Sequence, residues 1–286
     1  MFEFHLSLGS AVLTFVASAA VIGFAGVKLA ALDDRLADRT KLGEALTGTI
    51  FLGLITALPG LAASVMAAIE GHPVLALSNA MGGVAFQTAI LAVADLTHRR
   101  ANLEHAAASA TNMMQTIMLI LLLSLVVTGI SSPEVTIAHV HPVTVILMMA
   151  AGLAFWLAHQ VQKAPMWQPK QTRETVEDIP EPTARNESLS KLIVGMAIAG
   201  SVTLLAGGMV AVSGAGIVEK TGISETVVGS LFMAAATSLP ELVTCVAAVR
   251  REALTLAVRD IVCCYFFYVL FVAAADVAFL SGSIYP

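Results

Sequence analysis

Residues 229–244 read Gly-Ser-Leu-Phe-Met-Ala-Ala-Ala-Thr-Ser-Leu-Pro-Glu-Leu-Val-Thr. The segment is apolar enough to cross a bilayer, yet Pro240 and Glu241 stand side by side near its middle. Proline removes a backbone donor and costs a helix interior roughly 3 kcal/mol. A charged side chain at the bilayer centre costs roughly 2.5–3.5 kcal/mol on insertion scales. A stretch that keeps both predicts a broken membrane helix whose carboxylate holds an ion, a proton or a partner.

The stretch has a second copy. At an offset of 181 residues, without gaps, residues 44–96 align with 225–277 and 15 of the 53 pairs are identical. The identities include Glu44/Glu225, Gly48/Gly229, Phe51/Phe232, Thr56/Thr237, Leu58/Leu239, Pro59/Pro240, Phe86/Phe267 and Asp95/Asp276. The shared Thr-x-Leu-Pro core sets this apart from the Ala/Leu similarity of any two apolar helices. Two prolines at equivalent places predict two helix breaks, at Pro59 and Pro240. The carbonyls and hydroxyls freed there need partners, because lipid offers none.

The rest of the chain is built for a membrane. Of its 286 residues, 57% are hydrophobic and 12% are charged, against roughly 25% charged in soluble domains, and the mean hydropathy is +0.85. With a net charge of −5 and no basic stripe, the composition excludes a soluble globular enzyme, a disordered chain and a nucleic-acid binder. Cys245, Cys263 and Cys264 lie in apolar segments and imply no disulfide framework. The first apolar run has no cationic stretch before it and is too long for a signal-peptide core, so it reads as a retained span.

About 20 apolar residues cross the hydrocarbon as a helix. Eight such segments are read at 7–31, 45–69, 74–97, 107–130, 140–160, 190–216, 226–249 and 253–280. The polar segment 161–189, with Pro165, Pro169, Pro180 and Pro182, reads as a linker. It divides a first half, 1–160, from a second half, 190–286. The cations orient the chain. Every Lys and Arg except Lys220 falls at the end of span 1, after spans 1, 3, 5 and 7, or at the start of spans 6 and 8. The positive-inside bias then places the linker in the cytoplasm and both termini outside. Five spans separate equivalent points of the two copies, an odd number, so the copies run in opposite directions. Inverted repeats mark secondary transporters, with the binding site at the repeat interface near the midplane.

Other polar residues carry less. Asp95 and Asp276 fall at span ends and are expected to be interfacial, and Asp260 is expected to pair with Arg259 at the cytoplasmic edge. His98, His139 and His141 lie at loop edges without metal-ligand spacing, and Met113, Met114, Met118, Met148 and Met149 read as packing residues. No His-Glu-x-x-His, Gly-x-Ser-x-Gly or phosphate loop is present, which speaks against an enzyme and against nucleotide-driven pumping.

The string Thr237-Ser238-Leu239-Pro240-Glu241, in the context Gly229 to Thr244, resembles the alpha repeat of sodium/calcium exchangers, the cation/calcium antiporter superfamily. Gly48-Thr-Ile-Phe-Leu-Gly-Leu-Ile-Thr56-Ala57-Leu58-Pro59-Gly60 is similar to its first copy, and Asn79-Ala-Met-Gly82-Gly83 stands where the family has Gly-Asn-x-x-Gly-Ser. The resemblance covers roughly 10–130 and 190–280. It implies an all-α polytopic fold of two inverted halves, with about eight spans here against ten in the family, the last two of the second half being absent. Spans 2, 3, 7 and 8 would enclose the cation sites, and the long spans 1 and 6 would slide to alternate access. Carried over position by position, it implies cation ligands at Thr56, Thr237, Ser238, Glu241, Asn79 and Asp260, with Glu241 as the charged metal ligand. It implies no cofactor. The cargo would be calcium, sodium or proton, and the partners would be the bilayer and inorganic cations.

This chain departs from the family at Gly60, where the first acidic ligand would be, and at Ala57, Gly83, Cys264, Gln87 and Tyr268, where other polar ligands would be. One carboxylate balances one sodium, potassium or proton well. Calcium prefers 6–8 oxygen ligands and would be left undercompensated. The expectation is therefore a secondary cation antiporter of the cytoplasmic membrane. The alternatives are a monovalent cation/proton exchanger and a degenerate, non-transporting paralogue with a structural or partner-binding role.

Overall fold

The computed structural model describes residues 7–40, 53–97, 109–133, 135–163, 188–250 and 254–285. The described chain is almost entirely helical. Its helices are α1 (Leu8–Thr40), α2 (Leu58–Ile69), α3 (Pro73–Thr97), α4 (Ala110–Ser131), α5 (Pro142–Lys163), α6 (Leu189–Thr221), α7 (Glu225–Thr237), α8 (Leu239–Arg250) and α9 (Leu254–Ala278). Six of them, α1, α3, α4, α5, α6 and α9, are long and apolar enough to span a membrane. The α7–α8 pair forms a seventh span, bent by 44° at its break.

The eighth expected span, 45–69, is described only from residue 53. It is helical at 53–56, turns at Ala57 and continues as α2. Residues 45–52 and most of the linker lie outside the described residues. The other span positions agree with expectation to within a few residues, except that α1 runs on to Thr40 and α6 to Thr221. At about 1.5 Å per residue, 33 residues in each make helices of roughly 50 Å, well beyond a hydrocarbon core of about 30 Å.

The long helices pack along each other in the most extensive helix pair of the molecule. Each also crosses a broken helix of the opposite half: α1 lies on α8, and α6 lies on α2. Both crossings need glycine. A Cβ on Gly26 would lie 2.8 Å from Pro240 Cα, and one on Gly207 would lie 2.3 Å from the Pro59 carbonyl oxygen. Helix α3 packs against α9 and against α7, and α9 is covered on its far side by α4 and α5. α7 winds as a π-helix over Val228–Met233, where it meets α3 closely. A Cβ on Gly82 would stand 2.5 Å from Ser230 Cα, and one on Gly229 would stand 2.8 Å from Ser78 Cβ. π-turns within helices often mark functional sites. α6 ends on Gly222 in the left-handed region, φ 73°, a common helix stop.

Two polar contacts tie helix ends together. Glu225 accepts hydrogen bonds from the backbone N–H of Leu75 at 2.9 Å and lies 2.8 Å from His72 Nδ1, so the start of α7 caps the start of α3. The second contact is at Asp276, at the end of α9, which is fully buried within the protein. Its carboxylate accepts from the backbone N–H groups of His141 (2.9 Å) and Ile284 (3.0 Å) and from the hydroxyls of Thr144 (2.7 Å) and Ser283 (2.9 Å). His141, expected at a loop edge, is buried beside Tyr285 with ring centroids 5.0 Å apart. The segment after α9 folds back under α5 and brings these donors to the carboxylate. The repeat twin, Asp95, is exposed.

Candidate functional site

The two expected breaks are present and alike. Ala57 adopts φ −82°, ψ −3°, and Ser238 adopts φ −90°, ψ 7°. In each, Leu and Pro open the following helix, where a missing proline N–H matters least. The carbonyls of Ile55 and Ala236, four residues before each proline, lose their helical donor. Backbone bonding resumes at once, from Leu61 N to Ala57 O and from Leu242 N to Ser238 O, both at 3.1 Å.

Around the second break the structure brings together side chains from both repeats. Glu241, Thr237, Ser238 and Asn79 are all fully buried. Asn79, on α3, is the node. Its Nδ2 donates to Ser64 Oγ at 2.9 Å and to the Gly60 carbonyl at 3.2 Å, and its Oδ1 lies 3.5 Å from Thr237 Oγ1. Thr237 Oγ1 also donates to the Met233 carbonyl at 2.9 Å. Ser238 Oγ is 2.9 Å from Tyr268 Oη, and Tyr268 lies within electrostatic reach of the Glu241 carboxylate. One network thus joins α2, α3, α7 and α9.

Other expected ligands stand differently. Thr56 is buried at the first break and donates to its own turn, at the Gly53 carbonyl, 3.0 Å. Asp260 is on α9, but its side chain and that of Arg259 lie outside the described residues. Gln87 falls on the α3 stripe of Asn79 and Gly83, at helical spacing of four. It is fully buried, and neither end of its amide has a protein hydrogen-bond partner, a state rare for buried side chains.

Two participants went unread in the sequence. Ser64, one turn after Gly60 on a helix of otherwise apolar residues, was signalled only by that polarity. Tyr268 was read as a lost polar position. In the structure its ring covers Gly60 and Gly83 and its hydroxyl enters the site. Among the described residues no three His, Cys, Asp or Glu side chains converge. A cation at Glu241 would therefore be held mainly by hydroxyl, amide and carbonyl oxygens, the hard donors that alkali and alkaline-earth ions favour.

Oppositely oriented repeats, two proline-broken helices and a buried carboxylate at one break define an inverted-repeat membrane transporter fold. The sodium/calcium exchanger protein family profile matches residues 10–164 and 191–286. The chain belongs to that family, which is one of cation/calcium antiporters and not an enzyme class. Solved structures of the sodium-calcium exchanger NCX_Mj are similar. One, soaked with sodium and no calcium, has a TM-score of 0.59 at 17% identity, covering 97% of this chain and 84% of that one. Another, soaked with sodium and strontium, scores 0.60 at 18% identity, covering 96% and 82%. The H+/Ca2+ exchanger CAX scores 0.63 at 13% identity, covering 97% and 69%. At these identities the likeness establishes the fold. No curated protein sequence matches the chain.

Proposed function

We propose that the chain is a secondary active cation antiporter working by alternating access, with its cation site at the second helix break. Glu241 is the charged ligand or proton carrier. Thr237, Ser238, Asn79 and the carbonyls freed by Pro240 complete the site, and Thr56 serves at the pseudo-symmetric break. The observation that carries this reading is a fully buried carboxylate at a bent helix, four residues after Thr237, whose hydroxyl reaches Asn79 of the opposite repeat. The charge is costly at that depth unless a cation or proton shares the site. The long α1 and α6, each seated on the other half's proline through glycine, are the bodies that would move. The relatives are described as a sodium-calcium and an H+/Ca2+ exchanger, which supports sodium, calcium or proton as cargo. The charge distribution supports residence in the cytoplasmic membrane with the linker inside and both termini outside.

Flux in proteoliposomes tests the reading. Calcium, sodium and potassium are offered in turn under imposed sodium and proton gradients, and counterion-driven uptake is expected for at least one. A second reading, a non-transporting paralogue, draws support from Gly60, where the first repeat lacks its carboxylate. Folded protein that shows no flux under any gradient and no cation-dependent thermal stabilisation would favour it.

A further inference from the structure

We infer that Tyr268 sets the charge of the cation this site takes: it fills the volume a second acidic side chain would need and places a neutral hydroxyl on Ser238, at the break that precedes Glu241. The inference rests on the cation site proposed above. Gly60 is the repeat twin of Glu241, so a symmetric site would carry its second carboxylate there. A Cβ at position 60 would already lie 3.1 Å from Tyr268 Cε1 and 3.1 Å from Phe271 Cε2. A glutamate would have to drive a further methylene and carboxylate between these two rings. The rings support each other, with centroids 5.1 Å apart and planes at 59°.

Tyr268 cannot retreat easily. It is fully buried, held at its hydroxyl by Ser238, and lies over Gly83, where a Cβ would come within 2.0 Å of its ring. The substitutions are matched across the repeat. Where the second copy has Glu241, the residue paired with Tyr268 by the offset is the smaller Gln87; where the first copy has Gly60, the large Tyr268 stands opposite. At positions 60 and 241 the two half-sites hold one acid between them, Glu241. A monovalent cation is neutralised by that acid. A divalent ion would keep an uncompensated charge in a medium that penalises it, and the tyrosine ring takes the room its extra oxygen ligands would need.

The test is thermal unfolding of the purified full chain at constant ionic strength, with sodium, potassium or calcium chloride replacing choline chloride. The parent is expected to be stabilised by a monovalent cation and not by calcium. Gly60→Glu alone should lower the midpoint. Gly60→Glu with Tyr268→Ala should recover it relative to Gly60→Glu and gain a calcium-dependent rise that Tyr268→Ala alone lacks. Tyr268→Phe keeps the ring, so it should fold, remain indifferent to calcium, and need roughly tenfold more monovalent cation for the same shift. Several results would overturn the inference. These are a Gly60→Glu variant as stable as the parent, a folded double variant blind to calcium, or a Tyr268→Phe variant with an unchanged cation response. A parent that responds to no cation would instead overturn the proposed function, while the coupling between positions 60 and 268 would still report the steric claim.

Discussion

Gly207 rests on Pro59 so closely that a Cβ would stand 2.3 Å from the proline carbonyl oxygen. Gly26 makes the matching approach to Pro240, and positions 26 and 207 differ by the 181 residues that separate the repeats. The duplicated unit therefore includes the long helix as well as the broken one, and each long helix seats on the other half's break. This is where movement of α1 and α6 would be felt at the cation site.

Alanine at either glycine should force backbone apart. Gly207→Ala and Gly26→Ala are expected to destabilise the protein by about 1–3 kcal/mol, the range for overpacking, and to slow flux. Gly208→Ala is the control. A Cβ there meets nothing within 4 Å, and helix propensity favours it by up to about 1 kcal/mol. Thermal unfolding midpoints of the three variants check this, and equal effects at 207 and 208 would refute the close seating.

Asn79 joins α2, α3 and α7. Asn79→Ala strands buried polar groups, at about 1–3 kcal/mol, and should lower both the unfolding midpoint and cation-dependent stabilisation. Thr88→Ala, on the same helix but bonded to Tyr265 at 2.9 Å, should spare the cation response. Parallel cation titrations of the two variants separate a site role from a merely structural one.

The buried Asp276 holds the segment after α9 to the start of α5. Asp276→Asn can accept fewer of the four donors and should cost about 1–3 kcal/mol. An exposed carboxylate of α6, as Glu219→Gln, should stay within about 0.5 kcal/mol. Limited proteolysis near Ser283 should accelerate in the first variant only.

Tyr285, in that same segment, predicts alkaline behaviour. Burial pushes its phenol up to about 12 from 10.0 and the Asp276 charge adds to the rise, against a lowering by the Thr144 hydrogen bond. A raised acid favours the folded state below the unfolded value and loses that contribution as pH climbs through the folded one. Stability should therefore fall between about pH 10 and 12, and Tyr285→Phe should flatten that fall in midpoint-versus-pH curves.

The repeat, its inversion and the two breaks were legible because proline, charge and hydropathy act locally and leave their mark residue by residue. Pro59 and Pro240 located the breaks. The buried state of Asp276 was not legible. Its donors come from His141, Thr144, Ser283 and Ile284, two of them far away in sequence, and nothing in the spacing says the chain after α9 turns back. The site was legible in part. Thr237 meets Asn79 across the repeats, with Ser238 and Glu241 buried at the same break, whereas the place of Tyr268 depends on which face of α9 meets Gly60 and Gly83. That face is decided by packing between helices nearly two hundred residues apart.

Whether Glu241 carries the coupled cation is decided by counterion-driven flux in proteoliposomes, with the parent and Glu241→Gln reconstituted side by side at matched folded amounts. Saturable uptake is expected in the parent under a sodium or proton gradient, and its loss in the variant. Parent-like gradient-driven flux in Glu241→Gln would contradict that role.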